Sequence, residues 1–242
     1  MTDPVSRTSW RCSSGTHVGH RRQINEDAIL SVPEGGIWAV SDGMGGHTAG
    51  HLASQIVTEA LADIPTSVAP GERMQQARAA LHKAHDDIQC EALRLGGVTI
   101  GATVVVLIVS EQHFVCLWAG DSRLYRVRDG VLNQLSADHS IVGELIKAGH
   151  LSEDEAEHHP LANQITRAVG IGDMLEIDKR RGELAHGDRF LLCSDGLTKH
   201  VGDAELVDLL DQTDTKRSAE VLIQRALDHG GADNVSVIVV EV

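Results

Sequence analysis

The sequence predicts one α+β domain, with a helix pair near its start and strands through most of the remainder. Three observations lead there. Two adjacent stretches place apolar residues at three- and four-residue steps, and β-branched and aromatic runs of strand length fill much of the chain beyond them. No Pro- or Gly-rich linker, solenoid-length repeat or low-complexity tract divides residues 1–242. At 242 residues and 42% hydrophobic content the chain can bury a sizeable core.

Taken in order, Ile37 to Val40 read as a strand. After a glycine cluster, Ala49, Leu52, Ala53, Ile56, Val57, Ala60, Leu61 and Ile64 line one face of a helix. Met74, Ala77, Leu81, Ala84, Ile88, Ala92 and Leu95 repeat that rhythm; Pro65, Pro70 and Gly71 between them leave a connection short enough for an antiparallel pair. Residues 98–110 (VTIGATVVVLIVS) and 113–120 (HFVCLWAG) are strand-like, and 124–136 (LYRVRDGVLNQLS) reads as a hairpin turning at Asp129-Gly130. Residues 139–165 break the β rhythm and read as an inserted flap. Within it Ile141, Val142, Leu145 and Ile146 suggest a short helix, and Ser152 with Glu155 a capping box for a second. Arg189 to Cys193 and Val235 to Val242 read as further strands.

Composition excludes several function classes. Lys plus Arg total 21 against 35 Asp plus Glu, a formal net charge of −14, so the overall field repels nucleic acid and anionic membranes. The four cysteines have no C-x-x-C spacing, and Cys116 and Cys193 lie in apolar runs, which points to reduced thiols and a cytoplasmic protein. Neither a signal peptide nor a run of about 18 apolar residues is present, so secretion and membrane spanning are not expected.

The acids carry the chemistry. Asp42 and Asp195 each close an apolar run (IWAV and FLLC) within a repeated Ser-Asp-Gly. Glu26 and Asp27 precede the apolar run of INEDAIL, Asp121 interrupts two strands in WAGDSRLY, and Asp233 opens the last strand. If these strands form two packed sheets, the acids meet at one edge, where like-charge repulsion is severe without a cation. All-oxygen donors suit Mg²⁺ or Mn²⁺ better than Zn²⁺. Two such ions about 3.5–4 Å apart lower the pKa of a water between them and clamp the oxygens of an in-line displacement at phosphorus, which is phosphoester hydrolysis.

RQINEDA, VSDGMGGHTAG, GATVVV, WAGDSRLYRVRDG, SADHS, ITRAVG, GDRFLLCSDGL and GGADNVSVIVV resemble, in order and spacing, the motifs of bacterial metal-dependent serine/threonine phosphatases of the protein phosphatase 2C family. The resemblance spans about Gly19 to Val242. It implies a four-layer α-β-β-α sandwich of two antiparallel sheets flanked by helix pairs, with the metal centre in a cleft at one end. By that likeness Asp42 bridges two Mn²⁺ or Mg²⁺ ions, Gly43 offers its carbonyl oxygen, Glu26 supports one ion, and Asp195 and Asp233 hold the other. Asp121 resembles the ligand of a third, weaker ion, and Arg22 stands where the family binds phosphate. Animal members carry a histidine where this chain has Met44; the general acid therefore stays open between His47 and a metal-bound water.

The expected activity is direct hydrolysis of phosphoserine and phosphothreonine in proteins. No cysteine has an arginine six residues on, which disfavours a thiol-phosphate intermediate. The alternatives are a pseudophosphatase that binds phosphoproteins and a hydrolase of small phosphoesters. The chain reads as a bare, monomeric catalytic domain opposing a serine/threonine kinase. Its size and flavour resemble phosphatases of type VI secretion loci, which implies a forkhead-associated-domain protein as substrate. His139, His150, His158 and His159 read as solvated flap residues, and Arg167 as shaping the cleft.

Overall fold

Strands that are apolar at every position need cover on both faces, and this fold supplies it. The computed structural model describes residues 10–45, 48–152, 155, 159–162 and 164–242. One antiparallel sheet takes β1 (Arg11–His17), β11 (Val235–Glu241), β10 (Arg189–Cys193), β7 (Arg123–Arg128) and β8 (Val131–Gln134) in that spatial order. The other takes β2 (Asp27–Val32), β3 (Ile37–Met44), β5 (Val104–Val109), β6 (His113–Ala119) and β9 (Asp178–Glu183), with the short β4 (Gly101–Ala102) on the end of β3.

The period of two divides each central strand between two cores. Trp38, Val40, Val105 and Leu107 face Leu124, Phe190, Leu192, Ile238 and Val240 between the sheets, where the rings of Phe114 and Phe190 lie 5.0 Å apart. Their neighbours Ile37, Ala39, Val104 and Val106 point outward, onto Leu61, Leu81 and Ile88 of α1 (Thr48–Ala62) and α2 (Pro70–Arg94). Tyr125, Leu191, Val237 and Val239 face outward from the first sheet. After the short α3 (Ile141–Lys147) and α4 (Asp195–Thr198), the helices α5 (Asp203–Gln212) and α6 (Thr215–Asp228) cover them with Leu206, Leu210 and Leu222. Three apolar layers between four layers of structure make the α-β-β-α sandwich.

The hairpin between β7 and β8 turns at Asp129 and Gly130, with φ of 52° and 73°. Both central residues are left-handed, as a two-residue hairpin turn requires. In the flap, the Ser140 hydroxyl caps α3 by accepting the Gly143 N–H at 3.0 Å, and Ser140 bridges Ile165 at the stem. The Ser152–Glu155 box closes, with the Ser152 N–H on Glu155 Oε2 at 2.9 Å and the Glu155 N–H on Ser152 Oγ at 3.3 Å. The second flap helix and His158 lie outside the described residues. Leu107→Ala, in the inter-sheet core, should cost about 2–5 kcal/mol. The check is a lower urea midpoint with unchanged m-value.

Candidate metal centre

The two sheets deliver their acids to the same end of the sandwich. Asp42 lies within β3, directly opposite Asp27 of β2 in the ladder. Asp121 sits where β6 of one sheet crosses to β7 of the other, Asp195 starts α4 directly after β10, and Asp233 leads into β11. Asp42 is half-buried, and its pKa is carried well above the usual carboxylate range by desolvation, then by Asp27, Asp195, Asp121 and Asp233. Burial first, and neighbouring acids next, push Asp27 and Asp121 up to about 7. Five acids from both sheets thus share one electrostatic neighbourhood.

Hydroxyls brace the acids. Thr103 Oγ1 accepts the Asp42 N–H at 3.1 Å and contacts Ser122 Oγ at 2.7 Å, while Ser41 Oγ donates to the Thr103 carbonyl at 2.7 Å. Ser194 Oγ donates to Asp27 Oδ2 at 2.8 Å and accepts the Ser236 N–H at 3.0 Å, joining the sheets. Glu26 is held by its backbone: its N–H donates to Asn234 Oδ1 at 2.9 Å, and its carbonyl accepts from Gly43 N–H at 3.1 Å and Ser54 Oγ at 2.6 Å. A Cβ at Gly43 would run into the Gly50 and Glu26 carbonyls, and one at Gly196 into the Asn234 carbonyl. The glycine after each aspartate is thus needed for close approach.

Two cations of the chain stand among these acids. Arg22 pairs with Asp233 at 2.9 Å, half exposed at the rim. Lys199 lies 2.5 Å from Asp195 Oδ2 and 3.5 Å from Asp233 Oδ2. Burial works against its ammonium, but Asp195, Asp233 and Asp121 carry its pKa above the ordinary value. Sequence reasoning missed Lys199, although its place four residues after Asp195 puts both on one helix face. It also missed the bracing by Asn234, Thr103 and the Ser-Asp-Gly serines, whose signal was the repeated serine itself.

Among the described residues, no three His, Cys, Asp or Glu side chains stand as a ready set of metal ligands. The donors nonetheless suit a hard divalent cation. They are all oxygens, and Asp27 Oδ1 and Asp195 Oδ1 are buried with no hydrogen-bond partner among the described residues. His47 lies outside the described residues.

His139 corrects the sequence reading of a solvated flap residue. It is buried, its ring stacks on Trp118 at 6.0 Å, and Nδ1 accepts the Gly120 N–H at 3.2 Å. Its Nε2 lies 3.3 Å from Asp178, which Arg167 also binds at 3.1 Å. The flap base is thereby pinned beside Asp121. His150 is exposed, and His159 Nδ1 accepts the Leu161 N–H at 3.2 Å.

A family model described as Protein phosphatase 2C matches residues 14–233. The serine/threonine phosphatase stp of Listeria innocua is 33% identical over 232 residues, covering 93% of this chain and 91% of its own length. PppA of Pseudomonas aeruginosa, described as a key regulatory component of its T6SS, superposes with a TM-score of 0.89 at 41% identity, covering 97% of this chain and 98% of that one. The catalytic domain of the phosphatase PstP in complex with two manganese ions superposes at 0.85, with 32% identity and 96% and 97% coverage.

Asp27 and Asp121 hold protons in the folded chain that the unfolded chain releases near pH 4, so stability falls as pH rises from about 4 through 7. Chelator-treated protein should melt at a lower temperature at pH 8 than at pH 5, and Asp27→Asn should flatten that slope. A melting temperature constant or rising across this range would contradict the assignment.

Proposed function

Because the chain belongs to the protein phosphatase 2C family and is a metal-dependent serine/threonine phosphatase acting on phosphorylated proteins, we propose that the acids at the end of the sandwich are its metal ligands and that Arg22 receives the phosphoryl group. Asp42, half-buried amid four further aspartates, carries this reading. Asp42, the Gly43 carbonyl oxygen, Glu26, Asp195 and Asp233 would together hold two divalent ions. Asp121 would hold a third. Bound Mn²⁺ or Mg²⁺ supplies Lewis acidity and a nucleophilic water at neutral pH.

The chain's own residues do the positioning. The Arg22 guanidinium, held at the rim by Asp233, presents its fork to a phosphate dianion and orients phosphorus for in-line attack. The serine and threonine hydroxyls fix Asp42 and Asp27, so the charge of the site is set before substrate arrives. All seven ligand and phosphate-binding positions keep the residue types their roles require, which weighs against a pseudophosphatase.

The likeness to PppA along nearly the whole chain supports a finer reading: a cytoplasmic monomer that opposes a serine/threonine kinase in type VI secretion control, with a forkhead-associated-domain phosphoprotein as substrate.

The test is phosphate release from p-nitrophenyl phosphate and a phosphothreonine peptide with Mn²⁺, Mg²⁺ or chelator. Release should need the metal and fall by at least about 100-fold in Asp42→Asn; activity retained in that variant sinks the bridging role. Arg22→Ala should raise KM severalfold with a smaller loss in kcat, and unchanged kinetics would remove Arg22 from the site.

A further inference from the structure

In a chain of net charge −14, basic residues gather at the open edge where β8 ends one sheet and β9 ends the other. Arg126 and Arg128 share the face of Leu124, which belongs to the inter-sheet core. Across the gap, Arg180 stands opposite Cys116 of β6, another inter-sheet residue. Three arginines therefore occupy inward-facing positions where the central strands carry apolar residues.

Their partners are unequal. Arg128 binds Asp188 with two contacts of 2.6 Å. Arg180 reaches the carbonyls of Gln134 and Leu135 only at 3.4 Å, long for a charged donor. Arg126 Nε is buried with no hydrogen-bond partner among the described residues, and burial, then Arg128, depress the Arg126 pKa despite Asp188; Arg180 adds to the repulsion. A buried donor without an acceptor beside like charges costs stability. A cleft of about 240 Å³ opens here, lined by Trp118, Leu135, Ser136, Lys179 and Arg180. The Ser136 hydroxyl accepts the Leu124 N–H at 2.9 Å and keeps its own proton to donate.

We propose that this cleft is a second, non-catalytic binding site for a phosphate dianion, held by Arg180 and Ser136 of its lining and by the neighbouring Arg126. A tetrahedral oxyanion offers enough acceptors for two guanidinium forks and a hydroxyl, and it relieves the arginine repulsion. Arg126 is five residues along the strand from Asp121, roughly 15 Å away, so this site is separate from the metal centre. The dianion comes either free, as the product of the reaction, or on a second phosphorylated residue of a protein.

Calorimetric titration of the manganese-loaded chain with inorganic phosphate, and separately with a phosphothreonine peptide and its unphosphorylated form, tests this. Inorganic phosphate should give two binding events. Arg180→Gln should weaken one by roughly tenfold or more, as for one lost charge-assisted hydrogen bond, and leave kcat and KM for p-nitrophenyl phosphate unchanged. A second event with the phosphopeptide, absent for its unphosphorylated form, assigns the site to protein-borne phosphate; one with inorganic phosphate alone assigns it to the product. Arg126→Met should also raise the melting temperature in phosphate-free buffer. A single event in the parent chain, or two of unaltered affinity in Arg180→Gln, overturns the proposal. Loss of the catalytic event alone would count against the metal-site assignment and leave the cleft standing.

Discussion

Like-charge repulsion among clustered acids is the constraint on which the rest of this structure turns. Asp27 and Asp42 face one another across the β2–β3 ladder, an arrangement that destabilises a sheet when both are ionised. Asp121, Asp195 and Asp233 add their charge from the crossing and from the other sheet. A fold can keep such a group only by holding protons on it or by bringing cations to it. The raised pKa values of Asp27, Asp42 and Asp121 express the first route, and Arg22 and Lys199 the second.

The layered core makes the arrangement possible. Because both faces of the central strands are covered by apolar packing, the strands are rigid enough to hold carboxylates at their ends against repulsion. Ser194, reaching from the end of β10 to Asp27 of β2, stitches the two sheets at the mouth of the site. The repeated Ser-Asp-Gly is thus one device used twice. The serine braces the neighbouring strand or sheet, the aspartate supplies charge, and the glycine admits a backbone carbonyl that a Cβ would strike.

Much of this was legible in the sequence where a local pattern carries it. α1, α2, the central strands and the Asp129-Gly130 hairpin follow from apolar periodicity and turn chemistry within single windows. Two of the edge strands did not. β1 (RCSSGTH) and β9 (DKRRGE) are polar along their length and become strands only by pairing with β11 and β6. Residue type and position marked the acids, but not their bracing: Asn234 holds the backbone of Glu26 across 208 residues of chain, and His139 is buried by contact with Trp118 and Asp178. Such contacts have no local signature.

The charge balance of the site argues for what it holds. Glu26, Asp27, Asp42, Asp121, Asp195 and Asp233, if all ionised, bring six negative charges, and Arg22 and Lys199 return two. The remaining four equal the charge of two divalent ions. Without ions the chain balances itself by keeping protons on Asp27, Asp42 and Asp121 and by drawing the Lys199 ammonium onto Asp195 and Asp233. Divalent ions held here would take over the balancing role of those protons, so their binding would release protons while Arg22 and Lys199 keep their share of the charge.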